Sequence, residues 1–250
     1  MRIVQAKVGK MNVIPICGAA PLPREIAEAI KKEIGTPVSE GYGLTETSPL
    51  THFNISPFSK VTGFIPKEKT GMGIPSPDTE CKLVDPASGQ EMPFGEPGEV
   101  VVRGPQIMKG YWPEPGSGLT DDGWLHTGDI GTLDARGNIK ITDRLKDMFI
   151  VGGFNAYPAE IENTLLKMPN VGEVAVIGMP DEKWGERPLA LVVAGESAPL
   201  EKELVAFVKG FVDSGRLTRH ALMLKVLVVE EIAKTSVGKI DKKQLRRLHL

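Results

Sequence analysis

The chain has 250 residues, 41% apolar and 25% charged, with a net charge of −2. This is ordinary globular composition, enough for one large domain or two smaller ones, and it sets up no overall pull toward nucleic acid or an anionic membrane. No apolar run approaches the roughly 18–20 residues of a transmembrane helix, and the opening MRIVQAKVGK lacks the apolar stretch of a signal peptide, so the expected location is cytoplasmic.

The first predicted element is a buried strand, VIPIC (13–17), stopped by GAAPLP. A helix follows over REIAEAIKKEI, with apolar residues at 26, 27, 29, 30 and 34 and a stop at Gly35. TPVSEGYG then reads as strand and turn, and strand–helix–strand is an α/β signature. From 60 to 143 short β-type runs (ECKLVD, GEVVVRG, GNIKITD) alternate with Gly/Pro turns, which predicts a small distorted barrel or a sandwich. After Lys146 the order becomes strand MFIVGG, helix PAEIENTLLKM, strands VGEVAVIGMP and RPLALVVAGE, helix LEKELVAFVKGFV, strand LKVLVVEEI and a basic helix DKKQLRRLHL, an α+β unit of ordinary domain size. The expected boundary lies inside DRLKD (143–147), giving domains 1–145 and 146–250. Cys17 and Cys81 have no metal-binding spacing and read as reduced thiols.

Four stretches carry possible chemistry. In GYGLTETSP (41–49) a lone carboxylate between threonines is ordinarily a cap or a solvated turn. The same stretch offers a hard oxygen ligand in Glu46, backbone freedom in Gly41 and Gly43, and a ring for stacking in Tyr42. In HTGD (126–129), Asp129 follows Gly128, which predicts a turn; a carboxylate there also suits a pair of ribose hydroxyls. TDRLKDMFIVGGFNAYPAEIEN (142–163) packs charges before a strand and ends the strand on Gly152-Gly153, which suits either a solvated connector or a close approach to a ligand. AKTSVGKID (233–241) is not a Walker loop, because Ile240 follows Lys239, yet a lysine on a glycine turn acts as a mobile point charge.

Singly these are weak signals, but their order is specific. GAAPLP, GYGLTETSP, GWLHTGD, DRLKDMFIVGGFNAYPAEIE and KTSVGKIDKKQLR together resemble the adenylate-forming family of acyl-CoA synthetases, firefly-type luciferases and peptide-synthetase adenylation domains, over residues 13 to 245. The resemblance implies the tail of the large domain followed by a small, mobile C-terminal domain. It implies a reaction joining a small-molecule acid to ATP as acyl-AMP, with pyrophosphate released and the acyl group passed to coenzyme A. Gly18, Ala19, Ala20, Gly41 and Tyr42 would line the adenine site, and Gly41 and Gly43 the acyl pocket. Thr45 would contact the α-phosphate and Glu46 hold Mg²⁺; Asp129 and Arg144 would face the ribose. Lys239 would bridge the carboxylate and the α-phosphate, Lys146 would be the hinge, and Gly152 and Gly153 would lie along the pantetheine tunnel.

The family's Ser/Thr/Gly-rich loop ending in Lys-Gly, which holds the β- and γ-phosphates, does not occur in this sequence. The expectation is therefore a C-terminal portion of an acid–CoA ligase, inactive in adenylation by itself. The alternatives are one chain of a split synthetase, with a missing N-terminal half or self-association covering residues 1–55, and a non-catalytic binding module. Intact Glu46, Asp129, Arg144 and Lys239 argue against the last.

Overall fold

A computed structural model describes residues 15–18, 24–54, 72–195, 199–236 and 238–250. The expected roles of Ala19 and Ala20 lie outside the described residues. The chain divides into two compact units, residues 1–141 and 142–250.

In the first unit β1 (Ile16–Cys17) lies parallel to β2 (Ser39–Tyr42), with α1 (Arg24–Ile34) between them in sequence. Lys31 and Lys32 in the last turn suit the negative end of the helix dipole, and Gly35, at φ +79°, ends the helix by donating its N–H to the Lys31 carbonyl. Two short antiparallel strands, β3 (His52–Phe53) and β4 (Ile74–Pro75), complete this sheet.

The β-rich stretch gives β5 (Glu80–Val84), β6 (Gly98–Arg103), a small hairpin of β7 (Gly110–Tyr111) and β8 (Glu114–Pro115), β9 (Leu125–Leu133) and β10 (Ile139–Arg144). They do not form the barrel predicted from the sequence. The order β10-β9-β6-β5 is an open sheet, and four strands are too few to wrap a filled interior. β6 is buried on both faces: Val100 and Val102 pack with Leu83, Leu125, Ile139 and Tyr42, while Val101 packs with Val84 and Trp124 on the other side.

The second unit begins within β10. A 3-10 turn (Leu145–Asp147) leads into the hairpin β11 (Phe149–Val151) and β12 (Phe154–Ala156), then α2 (Pro158–Leu165), β13 (Val171–Asp181), β14 (Gly185–Ala194), α3 (Glu201–Asp213), β15 (Lys225–Val228) and α4 (Lys242–His249). β14 pairs antiparallel with β11 and β13 and parallel with β15. Alternation along β13 sends Val174 and Val176 toward Ile161, Leu165, Leu204 and Val208 of α2 and α3. It sends Ala175 and Ile177 to the opposite face, against Ile232 and Leu245. Burial on both faces explains the unbroken apolar runs of these central strands. No helix among the described residues is long and apolar enough to cross a membrane.

Candidate functional site

The GYGLTETSP stretch forms the end of β2 followed by a 3-10 turn, Thr45–Thr47. The buried Thr47 hydroxyl holds the turn closed, accepting from the Leu44 N–H (2.8 Å) and donating to the Leu44 carbonyl (2.9 Å). Gly43 is required by this fold: a Cβ there would lie 1.9 Å from the Pro49 carbonyl oxygen. Its lack of a side chain serves the loop's own closure. A Cβ on Gly41 would meet the Leu50 side chain at 2.9 Å, and one on Gly18 would sit at ordinary contact, 3.5 Å, from the Gly41 carbonyl.

Tyr42 joins two of the four stretches. Its ring is 8% exposed and its hydroxyl donates to Asp129 Oδ2 at 2.8 Å, across 87 positions of sequence. Burial, then the Asp129 charge, hold the phenol well above its ordinary pKa, so it stays a donor. The ring expected to be open for stacking is thus largely packed into the core.

Asp129 is not at a turn, as Gly128-Asp129 suggested, but in the middle of β9. Gly128 adopts φ +68° and the β6–β9 register shifts there, so a bulge stands where the turn was expected. The buried Glu99 fixes this bulge, accepting from Gly128 N–H (3.1 Å) and pairing with His126 Nδ1 (2.8 Å). Thr127 donates to the Val100 carbonyl at 2.7 Å. Asp129 itself is buried.

Glu46 is half-buried and is held twice. Its carbonyl accepts from Met108 N–H (2.8 Å), and its Oε1 accepts from the Tyr111 hydroxyl (2.9 Å). Its Oε2 accepts no hydrogen bond from the described residues. Thr45 is exposed beside it. Tyr111 and Glu99 were missed by sequence reasoning: each acts on a residue far away in the chain, and no local spacing marks either. His52, adjoining this region on β3, is fully buried, its Nε2 has no hydrogen-bond partner among the described residues, and burial holds its ring down to about 4.

The other candidates belong to the second unit. Arg144 and Lys146 are exposed, Lys146 on the 3-10 turn. Gly152 (φ +59°) and Gly153 (φ +87°) are the two-residue turn of the β11–β12 hairpin, where Val151 faces Phe154. Positive φ at both positions is what such a hairpin demands. A Cβ on Gly152 would also strike the Trp184 ring at 2.9 Å.

Lys239 is exposed at the end of a tight loop. Thr235 N–H donates to the Lys239 carbonyl (2.7 Å), Lys239 N–H to Thr235 Oγ1 (3.2 Å) and Asp241 N–H to the Ala233 carbonyl (2.9 Å). In the first unit, then, Gly18, Gly41, Tyr42, Gly43, Thr45, Glu46 and Asp129 cluster around β2 and β9. In the second, Arg144, Lys146, Gly152, Gly153 and Lys239 sit on its connecting segments.

Known proteins resemble this chain. The AMP-binding enzyme family model matches residues 4–112, and the AMP-binding enzyme C-terminal domain model matches residues 160–239. A long-chain-fatty-acid–CoA ligase of Escherichia coli is 40% identical over 231 residues, covering 92% of this chain and 39% of that ligase. A feruloyl-CoA synthase of Amycolatopsis is 39% identical over 240 residues, covering 93% of this chain and 45% of the synthase. Among solved structures, ATP-bound MatB from Rhodopseudomonas palustris has a TM-score of 0.79 at 31% identity, covering 99% of this chain and 49% of that one. The o-succinylbenzoate CoA synthetase of Bacillus subtilis, in complex with its acyl-adenylate intermediate, has a TM-score of 0.76 at 30% identity, covering 98% of this chain and 49% of the synthetase. The chain spans less than half the length of these relatives, and with both family models matched in order it belongs to the AMP-binding, adenylate-forming enzyme family, to which its similarity to acyl-CoA ligases also points.

Proposed function

We propose that this chain is the nucleotide-facing and lysine-bearing portion of an ATP-dependent acid–CoA ligase. In the first step a carboxylate oxygen attacks the α-phosphorus of ATP, and pyrophosphate leaves. In the second the thiolate of coenzyme A attacks the acyl carbon, and AMP leaves. The observation that carries this reading is the buried Tyr42–Asp129 hydrogen bond, which ties the GYGLTETSP and HTGD stretches into one site.

In that enzyme Asp129 and Arg144 bind the ribose, Gly18, Gly41 and Tyr42 border the adenine, and Thr45 contacts the α-phosphate. Lys239 offsets the negative charge that builds between carboxylate and phosphate. Lys146 is the hinge, and Gly152 and Gly153 border the pantetheine path. No group of three His, Cys, Asp or Glu among the described residues forms a metal cage. One carboxylate with an oxygen to spare, Glu46, fits the way Mg²⁺ is held jointly by protein and substrate phosphates. Mg²⁺ there would neutralise phosphate charge.

The acid is a fatty or other carboxylic acid, in line with relatives that act on long-chain fatty acids and on ferulate. The isolated 250-residue chain, lacking the loop for the outer phosphates, should bind an acyl-adenylate but not make one. The test is calorimetry with a non-hydrolysable dodecanoyl-sulfamoyl adenosine, beside pyrophosphate release with ATP, Mg²⁺ and dodecanoate. We expect binding that weakens in Asp129→Asn, and no pyrophosphate. No binding would overturn the site; pyrophosphate release would overturn the inactivity of the isolated chain.

A second reading, association with a complementary chain or a second copy, has support in Ile16 (63% exposed) on β1 and Ile26 (51%) on α1. Sedimentation of the chain alone decides its self-association arm: a monomer at high concentration excludes it.

A further inference from the structure

Lys239 lies three residues before Lys242, the first residue of α4. Lys242 and Lys243 stand at the positive end of the helix dipole, where cations are disfavoured. Lys242 nevertheless turns inward. Its side chain is 12% exposed and its Nζ lies 2.8 Å from Glu162 Oε1 on α2, itself 16% exposed. The same Glu162 oxygen accepts the Val176 N–H of β13 at 2.8 Å, so the carboxylate is locked to the central sheet before Lys242 reaches it.

Asp143 adds a second negative charge that interacts with Lys242. Its Oδ2 accepts Ala159 N–H at 2.8 Å, in the first turn of α2. A turn further along α4, Arg246 lies 3.9 Å from Asp147, and Leu245 anchors the helix apolarly against Ile177, Leu191 and Ile232. On the other arm of the loop, Lys234 pairs with Glu173. The lysine loop is therefore held on both sides, and a partly buried ion pair holds its exit.

A pair so largely removed from water is a poor source of stability, because desolvation offsets its attraction, but its directionality fixes one geometry. Burial pushes the Glu162 carboxyl up despite Lys242, which shows how much desolvation this pairing must overcome.

We propose that Glu162 and Lys242 are positioning residues for Lys239: their partly buried ion pair fixes the first turn of α4 and so the direction in which the loop before it presents Lys239. The catalytic meaning rests on the role of Lys239 proposed above; the geometry does not.

The test is amide hydrogen exchange on the 250-residue chain, read at Thr235, Gly238, Lys239 and Asp241, with β14 amides as the internal control. Lys242→Met and Glu162→Gln should each speed loop exchange about tenfold while β14 changes far less. Lys242→Arg should restore most of the protection. The double variant Glu162→Met/Lys242→Met removes the buried charge without orphaning either partner, so it should keep the fold yet leave the loop loosened. Unchanged loop exchange in the single variants, equal acceleration in loop and β14, or full protection in the double variant would each overturn the proposal. If the loop loosens as expected but Lys239→Ala, in this chain completed by the N-terminal portion of an acyl-CoA ligase, forms acyl-AMP as fast as wild type, the role of Lys239 falls and the clasp stands as a structural device only.

Discussion

The two units bury different things. Ser39, Thr47, Thr51, His52, Glu99 and Asp129 are buried polar or charged residues of the first unit, whereas Thr164 is the one such residue in the second among those described. The first unit builds its candidate site from hydrogen bonds inside the protein. The second packs a sheet apolar on both faces and displays its candidate residues on turns. Substitution of the candidate residues themselves should therefore act in the first unit largely through stability, and in the second largely through chemistry.

Acid should expose this difference most. The folded His52 ring titrates near 4 and the unfolded one near 6.5, so between those values the unfolded state binds the extra proton. Stability of the first unit then falls as pH drops from 6.5 toward 4 and levels off below, by about 3 kcal/mol in all. Exchange of β6 amides between pH 7 and 4.5, corrected for intrinsic rates, should show the loss, and β14 amides should not share this component. His52→Gln should remove it. An equal slope in both units would erase the contrast.

Tyr42→Phe sharpens the comparison on the same side. It removes one donor from a buried carboxylate and leaves the ring in place, at a cost of about 2 kcal/mol. Urea unfolding followed at β6 should register it. A shift within error would mean that the other interactions of Asp129 satisfy it without the phenol.

Sequence reading reached the two units unevenly for the same reason. In the second, continuous apolar runs over β13 and β14 and period-3.6 patterns over α2 and α3 follow from burial on both sides of one sheet, and those elements were legible. In the first, Gly128-Asp129 looked like a turn because backbone freedom is visible in a sequence but its use is not. The bulge depends on Glu99, 29 positions from Gly128, and the hold on Glu46 depends on Tyr111, 65 positions away. Gly152-Gly153 shows the same limit: the pair was read as room for a ligand, and the hairpin it closes already requires both glycines. Lys239 was singled out by the order of motifs along the chain and not by its own stretch, which alone reads as a loop lysine, and the side chain is indeed exposed.

Lys239→Ala should be the smallest structural change and the most one-sided functional one. The side chain is exposed and the loop is closed by backbone groups and the Thr235 hydroxyl, so stability should stay within about 0.5 kcal/mol of wild type. In this chain completed by the N-terminal portion of an acyl-CoA ligase, acyl-AMP formation should fall by about a hundredfold or more, the usual loss when a preorganised charge is taken from a transition state. Thioester formation from supplied acyl-AMP should persist, because no charge develops at the α-phosphate in that step. Equal loss in both steps would assign Lys239 to binding rather than to the first transition state. A large loss of stability would show that the second unit, like the first, ties its chemistry into its core, and the contrast between the two would not hold.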